Sequence, residues 1–388
     1  MRYVFKTIWN RRRELVWISF EQCVVFILLM LCFASVFKAL WQYLQPGLPD
    51  TSDTVVLAFS PRQHDKATMT KSPRVASAIS ENMSRKEYVR SYTRSLFLAP
   101  YLREDELYFA DSVSFAGSRY KTYIKGADVA GSEVFRFEIE EGRWLSESGL
   151  SADGNPECVI TRKLADDMGL DAPVGKSVVY NNMPITIAGV ISGIRHAVFE
   201  PPVPALILSN NLLNPSGMVE YCFRLEKGSY DRFSADFAGE FRKLADDDIV
   251  PTLFDAEDTR RLNMYPVMMK LYAISIPTVF LLIFALLGTF GVVQLNTRRR
   301  LEEFAVRFAI GSTRSRLMRD VLSESLIVTL ISAVPGLLLA LFIYDSSVWN
   351  VCGVGAALLS IVIFSLASTA VPAYKVSRLS ISKALRYE

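Results

Sequence analysis

The residues that could do chemistry are few, and their spacing excludes most reactions. The 388-residue chain has two histidines, His64 and His196, and neither sits in a ligating or triad pattern. It has five cysteines but no CxxC and no Cys/His cluster, so no metal site is expected. Gly169-Leu-Asp-Ala-Pro-Val-Gly175-Lys-Ser looks at first like a phosphate loop. That loop needs four residues between its glycines, and here there are five. Asp246-Asp-Asp248 reads as a solvated loop. No catalytic residue, cofactor site or metal ligand is expected, and the chain is not expected to be an enzyme.

One stretch does have functional spacing. Residues 297–320 hold seven arginines (298, 299, 300, 307, 314, 316 and 319) against three acids, Glu302, Glu303 and Asp320. They lie between two apolar runs, and a short basic segment in that position belongs on the cytoplasmic side of a membrane. Leu301 to Ile310 has the pattern of a short helix, with Glu303 and Arg307 as an i,i+4 pair in the favourable order. Gly311 stands at the C-cap position, and Ser312 or Thr313 can cap the next helix. A helix held between two spans moves when either span moves, so it can receive force from the cytoplasm.

Four apolar runs position that stretch, each near the roughly 20 residues that cross a bilayer core of about 30 Å. The expected organisation is a cytoplasmic segment 1–15, a first transmembrane helix 16–41 and an extracytoplasmic α+β domain 42–266. A second helix follows at 267–296, then the coupling segment 297–320, helices at 321–344 and 350–371, and a cytoplasmic tail 372–388. The first run is too long, and lacks the small-x-small site, for a cleaved leader. Asp255 to Asn263 reads as a polar approach to the second helix, with Pro266 permitting a kink. Gly288 and Gly291 are its expected helix-packing residues. Glu21 and Glu324 fall near the cytoplasmic ends of their helices, where a charge costs less than at mid-membrane.

Charge supports this arrangement. The cytoplasmic pieces (1–15, 297–320 and 373–388) hold 16 basic and five acidic residues, and the segment 42–268 holds 25 basic and 32 acidic. This is the positive-inside distribution, not a nucleic-acid footprint. Cys23, Cys32 and Cys352 lie in apolar runs as small hydrophobes. Cys158 and Cys222 lie in the outer segment, where free thiols are favoured but spacing leaves a disulfide open. The mid-membrane portions carry only Ser, Thr, Gln and Gly as polar or small groups, which disfavours a proton relay or a polar channel.

Four stretches resemble the MacB/FtsX-type ABC transporter permease family. They are Gly126 to Trp144, Glu157 to Gly193, Gly288 to Thr313, and the closing Pro372-Ala373, Ser377-Arg378 and Ala384 to Glu388. The last two carry most of the specificity. Ser60 to Arg103 matches the family poorly. Ala305 stands where relatives commonly have glycine, and Phe308 where they have lysine or another polar residue.

The resemblance implies a four-helix membrane protein with an extracytoplasmic domain of two lobes between helices 1 and 2. One lobe would come from about 50–115 and 215–260, the other from the residues between. It implies contact with a separate cytoplasmic ABC ATPase subunit through Glu303, Phe304, Arg307, Phe308, Gly311 and Thr313, with Arg307 first among them. ATP would be bound by that partner, so no cofactor is expected here. A second permease chain, identical or related, is implied, and an extracytoplasmic adaptor or substrate protein is compatible. The expected function is mechanotransmission from the inner (cytoplasmic) membrane, with efflux, lipoprotein release or control of a cell-wall hydrolase as its outputs. The alternative is a non-transporting receptor or scaffold sensing an extracytoplasmic ligand.

Overall fold

The apolar runs all become helices, and one of them is far longer than a bilayer requires. The structure, a computed structural model, describes residues 12–62, 66–101, 110–213, 219–245 and 248–377. The basic N-terminus up to Arg11, His64, Asp246, Asp247 and the closing stretch from Arg378 lie outside the described residues. The chain divides after Trp41 and before Val267 into two compact units.

The membrane unit is built on helices α1 (Arg12–Leu44), α6 (Ala256–Arg299), α8 (Arg314–Ile343) and α9 (Val348–Ser377), all long and apolar enough to cross a membrane. Close approach between them is made by small residues, as expected where lipid removes the hydrophobic drive. A Cβ on Gly353 of α9 would lie 2.7 Å from Ala34 Cα of α1, and one on Gly336 of α8 would lie 2.5 Å from Phe26 Cδ1. Hydroxyls join α8 to α9. Thr329 Oγ1 donates to Ser365 Oγ at 2.6 Å, and Thr369 Oγ1 donates to Ser325 Oγ at 2.8 Å. At the outer end Trp41 and Trp349 meet with ring centroids 5.9 Å apart, the kind of aromatic pair that sits at a membrane interface.

Helix α6 corrects one expectation. Its 44 residues make it about 66 Å long at ~1.5 Å per residue. The polar stretch from Ala256 is helix rather than approach, and Pro266 lies inside it without ending it. Its first turn is acidic, with Glu257 and Asp258 at the positive end of the helix dipole. Arg260 and Arg261 then pair back to those carboxylates at 3.4 Å.

The outer unit holds two sheets. Strands β1 (Thr54–Pro61), β2 (Val89–Ser95), β10 (Glu220–Leu225) and β11 (Ile249–Asp255) form an antiparallel sheet in the order β11-β1-β10-β2. Helices α2 (Lys66–Ser84) and α5 (Tyr230–Leu244) supply Ile79, Met83, Phe233 and Phe237 to the core over it. The aromatic stripe of α5 is therefore packing, as its helical spacing indicates. Strands β3 (Ala110–Phe115), β4 (Ser118–Ala127), β5 (Ile139–Gly142), β6 (Glu157–Thr161), β7 (Ser177–Tyr180), β8 (Met183–Ile191) and β9 (Ala205–Ser209) form a mixed sheet. Its order is β5-β8-β6-β9-β4-β3-β7, and β7 pairs back onto β8. The β7–β8 turn is the Asn181-Asn182 pair at φ 49° and 62°, the left-handed geometry a two-residue hairpin prefers. Two short helices, α3 (Gly131–Phe135) and α4 (Arg162–Asp167), complete the unit.

The two sheets come from early-plus-late and from intervening chain, except that β3, expected with the early part, pairs with β4 in the second sheet; the outer domain is α+β and inserted between the first and second membrane helices. They share buried side chains, among them Val56 and Cys222 from one sheet and Val159 and Ile207 from the other. Where they meet, Lys125 and Glu220 are buried together. Glu220 Oε2 accepts from Leu98 N at 3.2 Å, Ala99 N at 3.0 Å and Ser95 Oγ at 3.3 Å. Lys125 donates to the Phe97 carbonyl, and burial pushes its pKa down to about 8 against the pull of Glu220. Cys158 and Cys222 are buried free thiols.

Candidate coupling site

A turn at Arg300 separates α6 from the short helix α7 (Leu301–Ala309), and Gly311 ends it. Gly311 has φ 98° and Ser312 N reaches back to Arg307 O at 3.0 Å. That six-to-one bond across a left-handed glycine is a Schellman stop. Thr313 is the extended N-cap residue of α8 but makes no side-chain capping bond. Leu317 N instead bonds its carbonyl at 3.2 Å.

A ladder of five charges fixes α7 in place. Arg300 donates from Nε to Glu303 Oε2 at 2.9 Å and from Nη1 to Glu324 Oε2 at 2.7 Å. Glu303 Oε1 takes Arg307 Nη2 at 2.7 Å, and Arg307 Nη1 reaches Asp320 Oδ2 at 3.5 Å. The sequence from Glu324 through Arg300, Glu303 and Arg307 to Asp320 therefore ties α7 to α8 at two heights. The Arg300 guanidinium also lies 5.1 Å over the Phe304 ring, a cation–π arrangement that holds its plane. Glu324, near the cytoplasmic end of its helix, is thus paired within the chain, with Arg300.

The expected contact residues differ in exposure within the chain. Phe304 is 2% exposed and packs with Leu317, Val321 and Ala373, so it anchors α7 to the bundle and offers no surface. Glu303 and Arg307 are half-buried braces. A change at Arg307 would first disturb Glu303 and Asp320. Gly311 and Thr313 are exposed at the turn. The side chain of Phe308 lies outside the described residues. The outward face of α7 and the turn carries Glu302, Val306 and Ile310, with Val306 52% and Ile310 81% exposed. These three recur at four-residue spacing on one helix face. Helical spacing sets Val306 and Ile310 on the face opposite Phe304, but it does not say which of the two apolar faces is covered.

The two glycines on α6 also divide. Gly288 makes room for helix α1, since a Cβ there would lie 3.0 Å from Glu21 Oε1, whereas Gly291 has nothing within 4 Å. Among the described residues, Gly291 is therefore in open space. Gly336 and Gly353 are packing residues, and small-residue spacing with Ala357 was the available signal for the second. The stretch from Gly169 to Ser177 is followed by strand β7, without the helix N-terminus that a phosphate loop supplies. Among the described residues no cluster of His, Cys, Asp or Glu could hold a metal ion.

The comparison with known families matches both units. Residues 24–209 match the MacB-like periplasmic core domain, and residues 275–381 match the FtsX-like permease C-terminal domain. The chain belongs to the MacB/FtsX-type ABC transporter permeases. Members of this family are multi-pass membrane proteins, and here the α+β unit is the extracytoplasmic domain. Curated relatives include the pyoverdine export ATP-binding/permease protein PvdT of Pseudomonas fluorescens (strain Pf0-1), 22% identical over 60% of this chain and 36% of its own length. The uncharacterized ABC transporter permease YknZ of Bacillus subtilis is 25% identical over 68% of this chain and 70% of its own. The macrolide export ATP-binding/permease protein MacB of Neisseria gonorrhoeae is 21% identical over 53% and 32%. The chain thus spans about a third of the length of those two export proteins.

Two solved structures are similar over the outer unit of this permease. The extracellular domain of YknZ, a noncanonic ABC-type transporter from Gram-positive bacteria, covers 51% of this chain and 99% of its own at 14% identity, with a TM-score of 0.37. The periplasmic region of MacB from Actinobacillus actinomycetemcomitans covers 55% and 92% at 12% identity, with a TM-score of 0.40.

Proposed function

We propose that the chain is the permease subunit of an ABC complex, in which a cytoplasmic ATPase subunit pushes on α7 and the outer domain answers. The observation that carries this reading is the braced short helix between α6 and α8. Its inner face is locked by Phe304 and the charge ladder, while Val306 and Ile310 are left exposed beside Glu302. Exposed apolar side chains on a helix held this firmly suit a docking surface. The brace passes a push on α7 to α8 and, through the turn at Arg300, to α6. Nucleotide is bound by the partner, and two permease chains, identical or related, make the membrane part. The output is mechanical work on an extracytoplasmic substrate or adaptor. Export is the output carried by the names of the PvdT and MacB relatives.

The test is a mild-detergent pull-down of the full-length chain and its Val306→Asp/Ile310→Asp variant. The native chain is expected to retain an ABC ATPase, and the variant is expected to lose it while inserting normally. An ATPase retained equally by both removes α7 as the contact. A native chain that retains no ATPase but holds a signalling kinase would favour a receptor instead.

A further inference from the structure

Two buried arginines meet the backbone between α1 and β1. Arg195 is 0% exposed. It donates from Nε to Pro46 O at 2.7 Å, and from Nη1 to Gln42 O at 2.7 Å and Val198 O at 3.0 Å. Among the described residues no carboxylate is in ion-pair contact with it, so carbonyl dipoles meet its charge. Gln42 belongs to the last turn of α1, where carbonyls lack intrahelical donors and a cation is favoured. Beside this contact, Gly47 lies so close to Gly193 that a Cβ would sit 2.8 Å from the Gly193 carbonyl carbon. Val198 N donates in turn to Asn263 Oδ1 of α6 at 2.9 Å.

Further along, Arg224 on the central strand β10 grips the same stretch of chain. Its Nη2 donates to Asp50 O at 2.7 Å, its Nη1 to Ser52 O at 3.1 Å and Asp50 Oδ2 at 3.2 Å, and its Nε to Val134 O at 2.7 Å. Within 42–52, Gln45 to Pro49 reads from its prolines and glycine as a linker. In the structure the stretch 42–52 is held near both ends.

We infer that residues 42–52 form a rigid strut, gripped by Arg195 from the seven-stranded sheet and by Arg224 from the four-stranded sheet. Arg195 is the positioning residue that carries displacement of the strut into the loop 193–204. This inference rests on the proposed function, which supplies the displacement. The loop joins β8 to β9, and those strands flank β6 in the middle of the sheet. A pull on the loop therefore enters the sheet at its centre. Sliding of the strut past the loop would break three charge-assisted bonds together. Strut and loop consequently move as one piece.

The experiment uses the full-length chain with its co-purifying ATPase in nanodiscs. Hydrogen exchange is read in the nucleotide-free and vanadate-trapped states. The native chain is expected to change protection in residues 194–204 between the two states. Arg195→Met is expected to keep ATPase turnover and lose that nucleotide-dependent change. Arg195→Lys is expected to recover part of it, because an ammonium can serve some of the three carbonyls but not all. A native-sized change in Arg195→Met overturns the inference. A native chain whose outer unit does not respond to nucleotide anywhere overturns the proposed function instead. Should Arg195→Met lose protection in β6 and β9, Arg195→Lys decides, since it keeps a cation against the same carbonyls. A response in 194–204 that is partly recovered supports the joint, and one as small as in Arg195→Met overturns it.

Discussion

The coupling segment and the base of the outer unit both depend on arginine, and they use it in opposite ways. In the coupling segment Arg300 and Arg307 face carboxylates in a ladder that touches solvent. At the base of the outer unit Arg195 and Arg224 are buried and donate mainly to backbone carbonyls. A carboxylate ladder is adjustable. Its members can exchange partners, and salt weakens it. Arginines bound to backbone carbonyls depend less on salt, and a bond broken inside the fold, such as Arg195 to Val198 O or Arg224 to Val134 O, leaves a buried polar group unsatisfied. The difference teaches that α7 is held by bonds that salt weakens, and the stretch 42–52 by bonds that salt reaches less.

Breaking the rigid end should have the largest effect. Arg195→Met removes the donor shared by three carbonyls, and the one bonded wholly inside the fold, Val198 O, costs ~1–3 kcal/mol when unsatisfied. The denaturation midpoint of the outer unit should fall markedly, by the same amount at low and at high salt. Pulse proteolysis of the full-length chain in detergent, at both salt concentrations, reads this.

Breaking the buried rung of the ladder comes next. Arg300→Met leaves Glu324 without its partner, and a partly buried unpaired charge costs ~3–5 kcal/mol at most. Because Glu324 is near the cytoplasmic boundary and can recruit water, the loss should fall below that range. Faster exchange of the amides in α7, with α9 unchanged, is the expected signature.

Acid sharpens the comparison further, because it acts on the outer unit through a group the coupling segment lacks. His196 packs edge-on to Tyr123 with ring centroids 4.5 Å apart. Burial, and then the nearby Lys125 ammonium, hold its pKa down at about 3. The unfolded imidazole takes its proton near 6.5, so between those values the unfolded chain binds more protons. Stability therefore falls as pH drops from about 6.5 towards 3. His196→Phe should flatten that part of the pH profile, leaving the slope due to carboxylates. An identical profile in the variant would show that the imidazole is not held neutral.

The smallest effect belongs to the exposed arm of the ladder. Arg307→Gln removes contacts to Glu303 and Asp320 that are partly solvated, worth ~0–1 kcal/mol. The loss in α7 protection should be visible at low salt and vanish at high salt. A loss independent of salt would mean that Arg307 is held as rigidly as Arg195.

How far the sequence revealed this depends on the range of the interaction. The four spans, the inside-positive charge and the Gly311 stop are local patterns, and they were legible. So was the Glu303–Arg307 pair, because its spacing is a helix turn. The direction in which α7 faces was not. Phe304 and Ile310 are both apolar, and only the packing of Leu317 and Val321 decides which is covered. Strand β3 escaped notice because Ala-Asp-Ser-Val-Ser-Phe buries one side chain, Val113, and shows little alternation. Arg195 gave no signal at all. Its partners are carbonyls roughly 150 positions away in sequence, and a carbonyl has no residue type to recognise.

The central claim is that α7 is the lever under the bilayer on which the ATPase pushes. A photo-crosslinking side chain placed at Ile310 of the full-length chain, irradiated in intact cells, tests it most directly. The account predicts an adduct with an ABC ATPase whose yield changes when nucleotide is depleted. Labelling of position 310 by a membrane-impermeant reagent from outside, with no ATPase adduct, would contradict it.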